Sequence, residues 1–292
     1  MPCCVADEYG GWCHEAPTKV VDVDGEEREY CIFHAPRSRK WMPPEAFNEL
    51  VLQQLEAARE AGRECNLAGC VFPGAVAFKW FNTEAPMPPT DFSWCRFHGE
   101  ADFFGASMDG PTSFAHATFE SVADFSQSGF GGDVNFRAVR FNGPVEFQAA
   151  QFAARAFFIK TRFTAGADFW RCRFLGVTHF GEAVFEDVTF FGDTHFDQEC
   201  SFQLAVFHDL AYFGLTAFAA SADFTQCSAL KDMRFEAVAL NTVSLLDMDL
   251  RRVQFINCRW PKMGARHAVY DEVAAKDPAR VEAVYVRLKH IA

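Results

Sequence analysis

Phenylalanine sets the rhythm of this chain. From Phe92 to Phe224 it recurs in steps that alternate five and six residues, as at Phe92, Phe97, Phe103, Phe114, Phe119, Phe125 and Phe130, with Met108 at the midpoint of the one long step. The true period is therefore eleven. Two architectures suit that period. One is a right-handed coiled coil, because eleven residues make three helical turns. The other is a β-solenoid in which each short strand turns one large side chain inward. The residue two places before each Phe decides between them. That column reads Cys95, Ala101, Ala106, Thr112, Ala117, Ala123, Ser128, Val134 and onward, nearly always small. In a strand, residues i−2 and i share a face, whereas on a helix they lie roughly 160° apart and cannot share one core. Phe, Thr, Val and Gly are also mediocre helix formers. The pattern predicts the solenoid.

The unit reads small–polar–Phe–x–x, as in Ala123-Asp124-Phe125, Ala167-Asp168-Phe169 and Ala222-Asp223-Phe224, with one extra residue in every second unit. It resembles the pentapeptide repeat proteins over residues 65–260. The resemblance implies an all-β solenoid, a right-handed quadrilateral β-helix of about nine coils, with four units to a turn and the i and i−2 residues inside. The extra residues lengthen a turn to 22 residues and fall at corners such as His98-Gly99, Asp109-Gly110, Gly131-Gly132 and Asn142-Gly143, dipeptides that tolerate φ > 0. From Phe235 the step becomes a plain five, through Leu240, Leu245, Leu250, Phe255 and Trp260.

The flanks have other patterns. In residues 1–42, Cys4, Cys13, Cys31 and His34 supply four soft ligands, the last two closely spaced, as structural zinc sites require. Cys3 can replace Cys4, and His14 can compete. The Tyr30-Cys31-Ile32-Phe33-His34 ending resembles small bacterial zinc-knuckle segments, and a segment this short needs a metal to supply its folding energy. Four protein ligands leave no open position, so the zinc is expected to be structural. Val20–Glu29, centred on Asp24-Gly25, reads as a hairpin. Residues 43–62 read as a capping helix with Phe47, Leu50, Val51, Leu55 and Ala58 in one stripe. The β-helix spans 63–260. It is interrupted at 79–91 by a Pro-rich loop whose Trp80 and Phe81 are contact candidates, since loops on rigid scaffolds carry function; gyrase-protecting members of the resembled family use such loops. Residues 261–292 predict a helix capped by Asp277, with Pro278 first and Val281, Val284, Tyr285, Leu288 and Ile291 on one face. That helix is read as a cap for the last coil or a homodimer contact.

Composition narrows the function. The net charge of −12 argues against direct nucleic-acid binding. There is no signal peptide pattern and no apolar run long enough for a membrane helix, which predicts a cytoplasmic protein with reduced thiols. Cys65, Cys70, Cys95, Cys172, Cys200 and Cys258 fall in the small column and read as buried hydrophobes; Cys227 lies one place off it if Leu230 is the central residue. Asp102, Asp124, Glu146 and Asp168 form an outward acidic column, Arg96, Arg140 and Arg162 a broken basic one beside it. Residues 137–173 are rich in Arg and Lys, residues 182–249 in Asp and Glu. No nucleophile elbow, P-loop, HExxH or dinucleotide fingerprint appears, so no catalytic residue is expected. The reading is a non-catalytic scaffold for a protein partner. The alternative is a DNA mimic that engages a type II topoisomerase, which the resemblance to gyrase-protecting members and the acidic 182–249 region favour and the basic 137–173 belt opposes.

Overall fold

The computed structural model describes residues 3–5 and 7–289. Its body is a β-solenoid built from strands of two residues, or four at three places on one wall, that stack into four parallel walls of nine, eight, nine and six strands. Wall 1 runs from Cys65–Asn66 to Val243–Ser244, wall 2 from Val71–Phe72 to Ser228–Ala229, wall 3 from Val76–Ala77 to Val253–Ile256, and wall 4 from Ser107–Met108 to Ala217–Phe218. The stacking register is 22 residues through the middle, as in Thr112↔Val134 and Ala123↔Val145. It shortens to 20 at the end, where Met233 pairs with Val253, matching the change to a plain five-residue step.

The core is a stack of rings. Along each wall, Phe residues one coil apart lie nearly parallel in offset stacks: Phe97 and Phe119 are 4.5 Å apart at 1°, Phe125 and Phe147 5.0 Å at 8°. Walls 1 and 3 face each other, and their rings mesh in single file. Phe103, Phe114, Phe125 and Phe136 follow one another at 5.5 Å with interplanar angles of 79–89°. Both geometries are those that the ring quadrupole favours. The small column lies buried between the rings, and its polar members are satisfied within it. Thr161 Oγ1 donates to the Phe136 carbonyl at 2.7 Å, and the Cys172 thiol donates to the Phe147 carbonyl at 2.9 Å. Cys65, Cys70, Cys172 and Cys200 are buried, and burial pushes their thiols above the usual range. Cys227 belongs to this column too. Ala229, not Leu230, is the central residue there, pairing with Phe207, and Leu230 points to solvent.

The corners differ from the sequence expectation. The glycines at 99, 110, 131, 132 and 143 do not take positive φ. That conformation recurs instead at non-glycine corner residues every eleven positions, including His116, Gln127, Ala138, Ala149, Lys160 and Arg171, with φ between 54° and 60°. Each lies in the tight corner that follows a core Phe of wall 1 or 3. The outward Asp or Asn just before that Phe holds the corner: Asp102, Asp124, Asn135 and Asp168 each accept the backbone N–H two residues on, at 2.7–3.0 Å. The glycines occupy the alternate corners for a different reason. A Cβ on Gly99, Gly132 or Gly143 would lie 2.3–2.5 Å from backbone atoms of the preceding coil.

Both ends are covered. Helix α1 (Pro44–Glu60) buries Phe47, Val51, Leu55 and Ala58, and Phe47 meets Phe72 of the first coil edge-on at 5.7 Å. Thr18–Val23 and Glu26–Cys31 form the hairpin, turning at Asp24-Gly25, and the Val71 N–H on wall 2 donates to the Phe33 carbonyl at 2.9 Å. At the far end, helices α2 (Tyr270–Val273) and α3 (Pro278–Lys289) follow the last coil. Buried Asp271 accepts from Ser244 Oγ at 2.6 Å and from the Leu245 N–H at 2.9 Å. Asp277 caps α3 through the Arg280 N–H. Val281 and Val284 are buried within the chain's own core, whereas Tyr285 and Leu288 are half-buried and line a groove beside the last coil; Ile291 lies outside the described residues.

The two kinds of corner predict opposite responses in thermal or urea unfolding. Gly143→Ala is expected to cost more than about 1 kcal/mol, because the coil beneath must give way. Ala149→Gly is expected to be neutral or to stabilise by up to about 1 kcal/mol, because it relieves a left-handed alanine and loses only unfolded-state entropy.

Candidate functional site

Four ligand atoms converge at the N-terminal end. The Sγ atoms of Cys3, Cys13 and Cys31 and Nδ1 of His34 all lie within 4.8 Å of one another, and all four residues are buried. The three sulfurs stand 3.6, 3.2 and 3.2 Å from His34 Nδ1. Zinc bonds of ~2.3 Å to sulfur and ~2.0 Å to nitrogen, set tetrahedrally, give S···N edges of ~3.5 Å, so the residues fit such an ion. Cys31 and His34 sit on one tight turn at the end of the hairpin, where the Ala35 N–H closes on the Cys31 carbonyl at 2.9 Å.

The position expected for Cys4 is taken by Cys3. The Cys4 N–H donates to the Glu29 carbonyl at 2.7 Å, so this short segment runs beside the hairpin. Neighbouring side chains there point opposite ways: Cys3 is buried in the cluster and Cys4 is exposed. That alternation was the signal that could have separated the two adjacent cysteines. His14 stays outside, facing Asp7 at 3.6 Å.

The surroundings of His34 set its tautomer. With Ala68 O 3.0 Å from Nε2, the ring places its proton on Nε2 and turns the Nδ1 lone pair to the sulfurs, the outer-shell arrangement of metal-bound histidines. Trp12 Nε1 donates to the same carbonyl at 3.0 Å, and Tyr9 stacks on the imidazole at 5.2 Å. Lys40, unforeseen in the sequence, donates to the Ile32 and Phe33 carbonyls of the turn and lies 4.2 Å from the centre of the Phe47 ring. Its burial lowers the ammonium to about 8. The Cys3 thiol is pulled far below the ordinary thiol range, chiefly by the hydrogen bond from Cys31, while Cys31 is pushed up by the same bond and by burial. Burial also raises Cys13. Three sulfurs and one imidazole nitrogen, shielded from water and already favouring a thiolate, form a donor set for a soft or borderline cation.

The other sequence-derived candidates divide. Trp80 is 67% exposed, with Lys79 over its ring. Phe81 is 3% exposed and is not available for contact. Its carbonyl accepts the Ser107 N–H at 2.7 Å, and the Met87 N–H donates to the Ser107 carbonyl at 2.8 Å. Phe81 and Met87 thus complete wall 4 of this coil, residues 82–86 form the outlying part of the loop, and Thr90–Asp91 already belongs to wall 1. Asp102, Asp124, Glu146 and Asp168 stack in one column of wall 3, as their spacing predicts. Three of the four also serve as corner acceptors, so the acid type is accounted for by the backbone at those positions.

The contrast between a basic belt and an acidic end largely disappears in three dimensions. Coils lie one above another, so charges 22–24 residues apart are neighbours. Arg155 pairs with Asp133, Lys160 with Glu182, Arg162 with Glu186, Arg171 with Asp193, Arg173 with Asp197 and Lys231 with Asp209. Glu146 is different: burial, and then the carboxylates of Asp124 and Asp168, raise its pKa. A carboxyl raised in the folded state stabilises where it is protonated, and that contribution is lost as pH rises through its folded pKa. Glu146→Gln is therefore expected to raise the melting temperature at pH 7 and leave it unchanged well below the carboxylate range, with the gain shrinking at high salt.

The family comparison agrees with this geometry. The model for pentapeptide repeats (9 copies) matches residues 128–173 and 169–216, the middle of a ladder that the structure continues in both directions with the same ring stacking and register. No curated protein matches the chain. With its small–polar–Phe units, four walls and matched central coils, the chain is similar to the pentapeptide repeats over residues 128–216.

Proposed function

We propose that this protein is a non-catalytic scaffold for contacts with another protein, with one structural zinc ion held by Cys3, Cys13, Cys31 and His34. The observation that carries the reading is how the metal module joins the rod. Trp12 and His34 meet the first coil at the Ala68 carbonyl, Val71 bonds to Phe33, and Phe33, Phe47 and Phe72 form one chain of ring contacts. The module, α1 and the β-helix therefore offer a partner one continuous rigid surface, on which little needs to be ordered when binding occurs. Repeat solenoids of this kind use their long walls for binding. The scaffold's outward chemistry lies in the Trp80 loop and the charged wall columns.

The topoisomerase-directed alternative needs a continuous phosphate-like surface. Pairing between coils neutralises much of the acidic region, so the protein-scaffold reading is favoured.

Purified protein is expected to contain one zinc per chain by elemental analysis, and cobalt exchange is expected to give thiolate-to-metal absorption. Cys31→Ser/His34→Ala should lose the metal and lower the melting temperature, because binding energy at such a site is folding energy. Zinc-free wild type with unchanged stability would remove this part of the proposal. For the scaffold, affinity capture from host lysate is expected to retain a partner that is lost with Trp80→Ala at unchanged melting temperature. Equal retention would exclude the loop as the contact.

A further inference from the structure

A second site lies beside the metal module. A groove of about 660 Å³ opens between the N-terminal segment and wall 2, and Tyr9, Tyr30, Arg37, Trp94, Arg96 and His98 line it. Six bases farther along the rod have an acid one coil away, whereas among the described residues neither Arg37 nor Arg96 forms an ion pair. Arg96 comes from the outward column of wall 2, where its stacked neighbours are Val71 and Thr118, neither of them acidic. Arg37 reaches the groove from the metal module. Half-buried His98 lies within the field of both: burial first, then Arg37 and Arg96, hold it below its ordinary range, with Glu120 the opposing charge. In a chain of net charge −12, two guanidiniums and an imidazole share one groove with little local compensation.

The groove also has a flat apolar surface. Trp94 is 54% exposed and stands at a positive-φ corner. One face of its indole stacks on His116 at 4.1 Å and 6°. The matching corner one coil earlier is Gly69, which has no side chain; the Tyr9 ring lies over it, 2.4 Å from where a Cβ would be. The Tyr9 ring takes the place of a side chain at that corner, and among the described residues His116 is the one ring stacked on Trp94. Guanidinium pairs favour phosphate through forked hydrogen bonds, and a free indole face favours a planar heterocycle. The volume is that of a small-molecule site. An acidic peptide would extend along walls of its own sign, whereas a single phosphate meets only the local positive field.

We propose that this groove binds a nucleoside monophosphate, its base stacked on Trp94 and its phosphate held by Arg37 and Arg96. The same chemistry is offered by a free nucleotide or by the 5′-phosphorylated end of a single strand. The test is titration calorimetry on the full, zinc-replete chain with AMP, GMP, adenosine, inorganic phosphate, a 5′-phosphorylated single-stranded oligonucleotide and an acidic peptide. AMP or GMP is expected to bind at least ~10-fold more tightly than adenosine or phosphate. Arg96→Ala and Trp94→Ala, both at exposed positions, should each weaken it at least ~10-fold at unchanged melting temperature and zinc content. Tighter binding of the oligonucleotide with the same response to the variants would support the site and assign its source. Phosphate binding as well as AMP, binding of the acidic peptide alone, indifference to both variants, or no binding at millimolar nucleotide would each overturn the proposal.

Discussion

The structure depends on a single file of interlocked rings. Phenylalanines from two opposite walls alternate along the axis, each perpendicular to the next and parallel to the one a full coil away. Neither contact can be adjusted alone. A change in coil length would shift the stacked pair and the crossed pair together, which fits the constant 22-residue register through the middle of the rod. The ring file also limits what the neighbouring positions can be. Only a small side chain fits two residues before each Phe, and the polar members of that column donate to backbone carbonyls, Thr161, Cys172 and Thr216 to the preceding coil and Thr112, Thr178 and Thr189 to the carbonyl two residues earlier. Packing density and polar satisfaction are met by the same column.

The corners show the cost of that regularity. A rod this narrow must turn sharply four times per coil, and alternate turns require a left-handed residue. The chain places ordinary residues there and holds the turn with an aspartate or asparagine that accepts a backbone N–H. At 99, 132 and 143 glycine stands where successive coils approach most closely. An acidic column that looks like a display for a partner is in large part the hardware of the turn.

How much of this was legible depended on periodicity. The eleven-residue Phe rhythm, the small column and the shortening after Phe235 are repeated signals, and repetition makes them readable. The α1 stripe and the Asp277 cap were legible from helical spacing. Features that occur once were harder. The choice between Cys3 and Cys4 rests on the facing of a segment too short to have a pattern. The burial of Phe81 depends on Met87 completing a wall after an intervening loop. Cys227 was displaced because Leu230 looked like a core residue, when Ala229 occupies that place. The charge belts misled for a geometric reason: distance along the sequence suggested separation along the axis, but one coil of chain advances the rod by a single strand spacing.

The ladder itself has direction. On wall 2 the N–H groups of each coil donate toward the coil before it, and on wall 1 toward the coil after. The first coil therefore has donors to satisfy on wall 2, and the last coil has them on wall 1. The Phe33 carbonyl meets the first set and the Asp271 carboxylate the second. Each stands where the backbone of one more coil would be. In the language of polymer growth these two residues are chain terminators: they occupy the growing ends of a structure whose repeat has no length limit of its own, and on those walls they turn a potential fibre into a molecule of defined size.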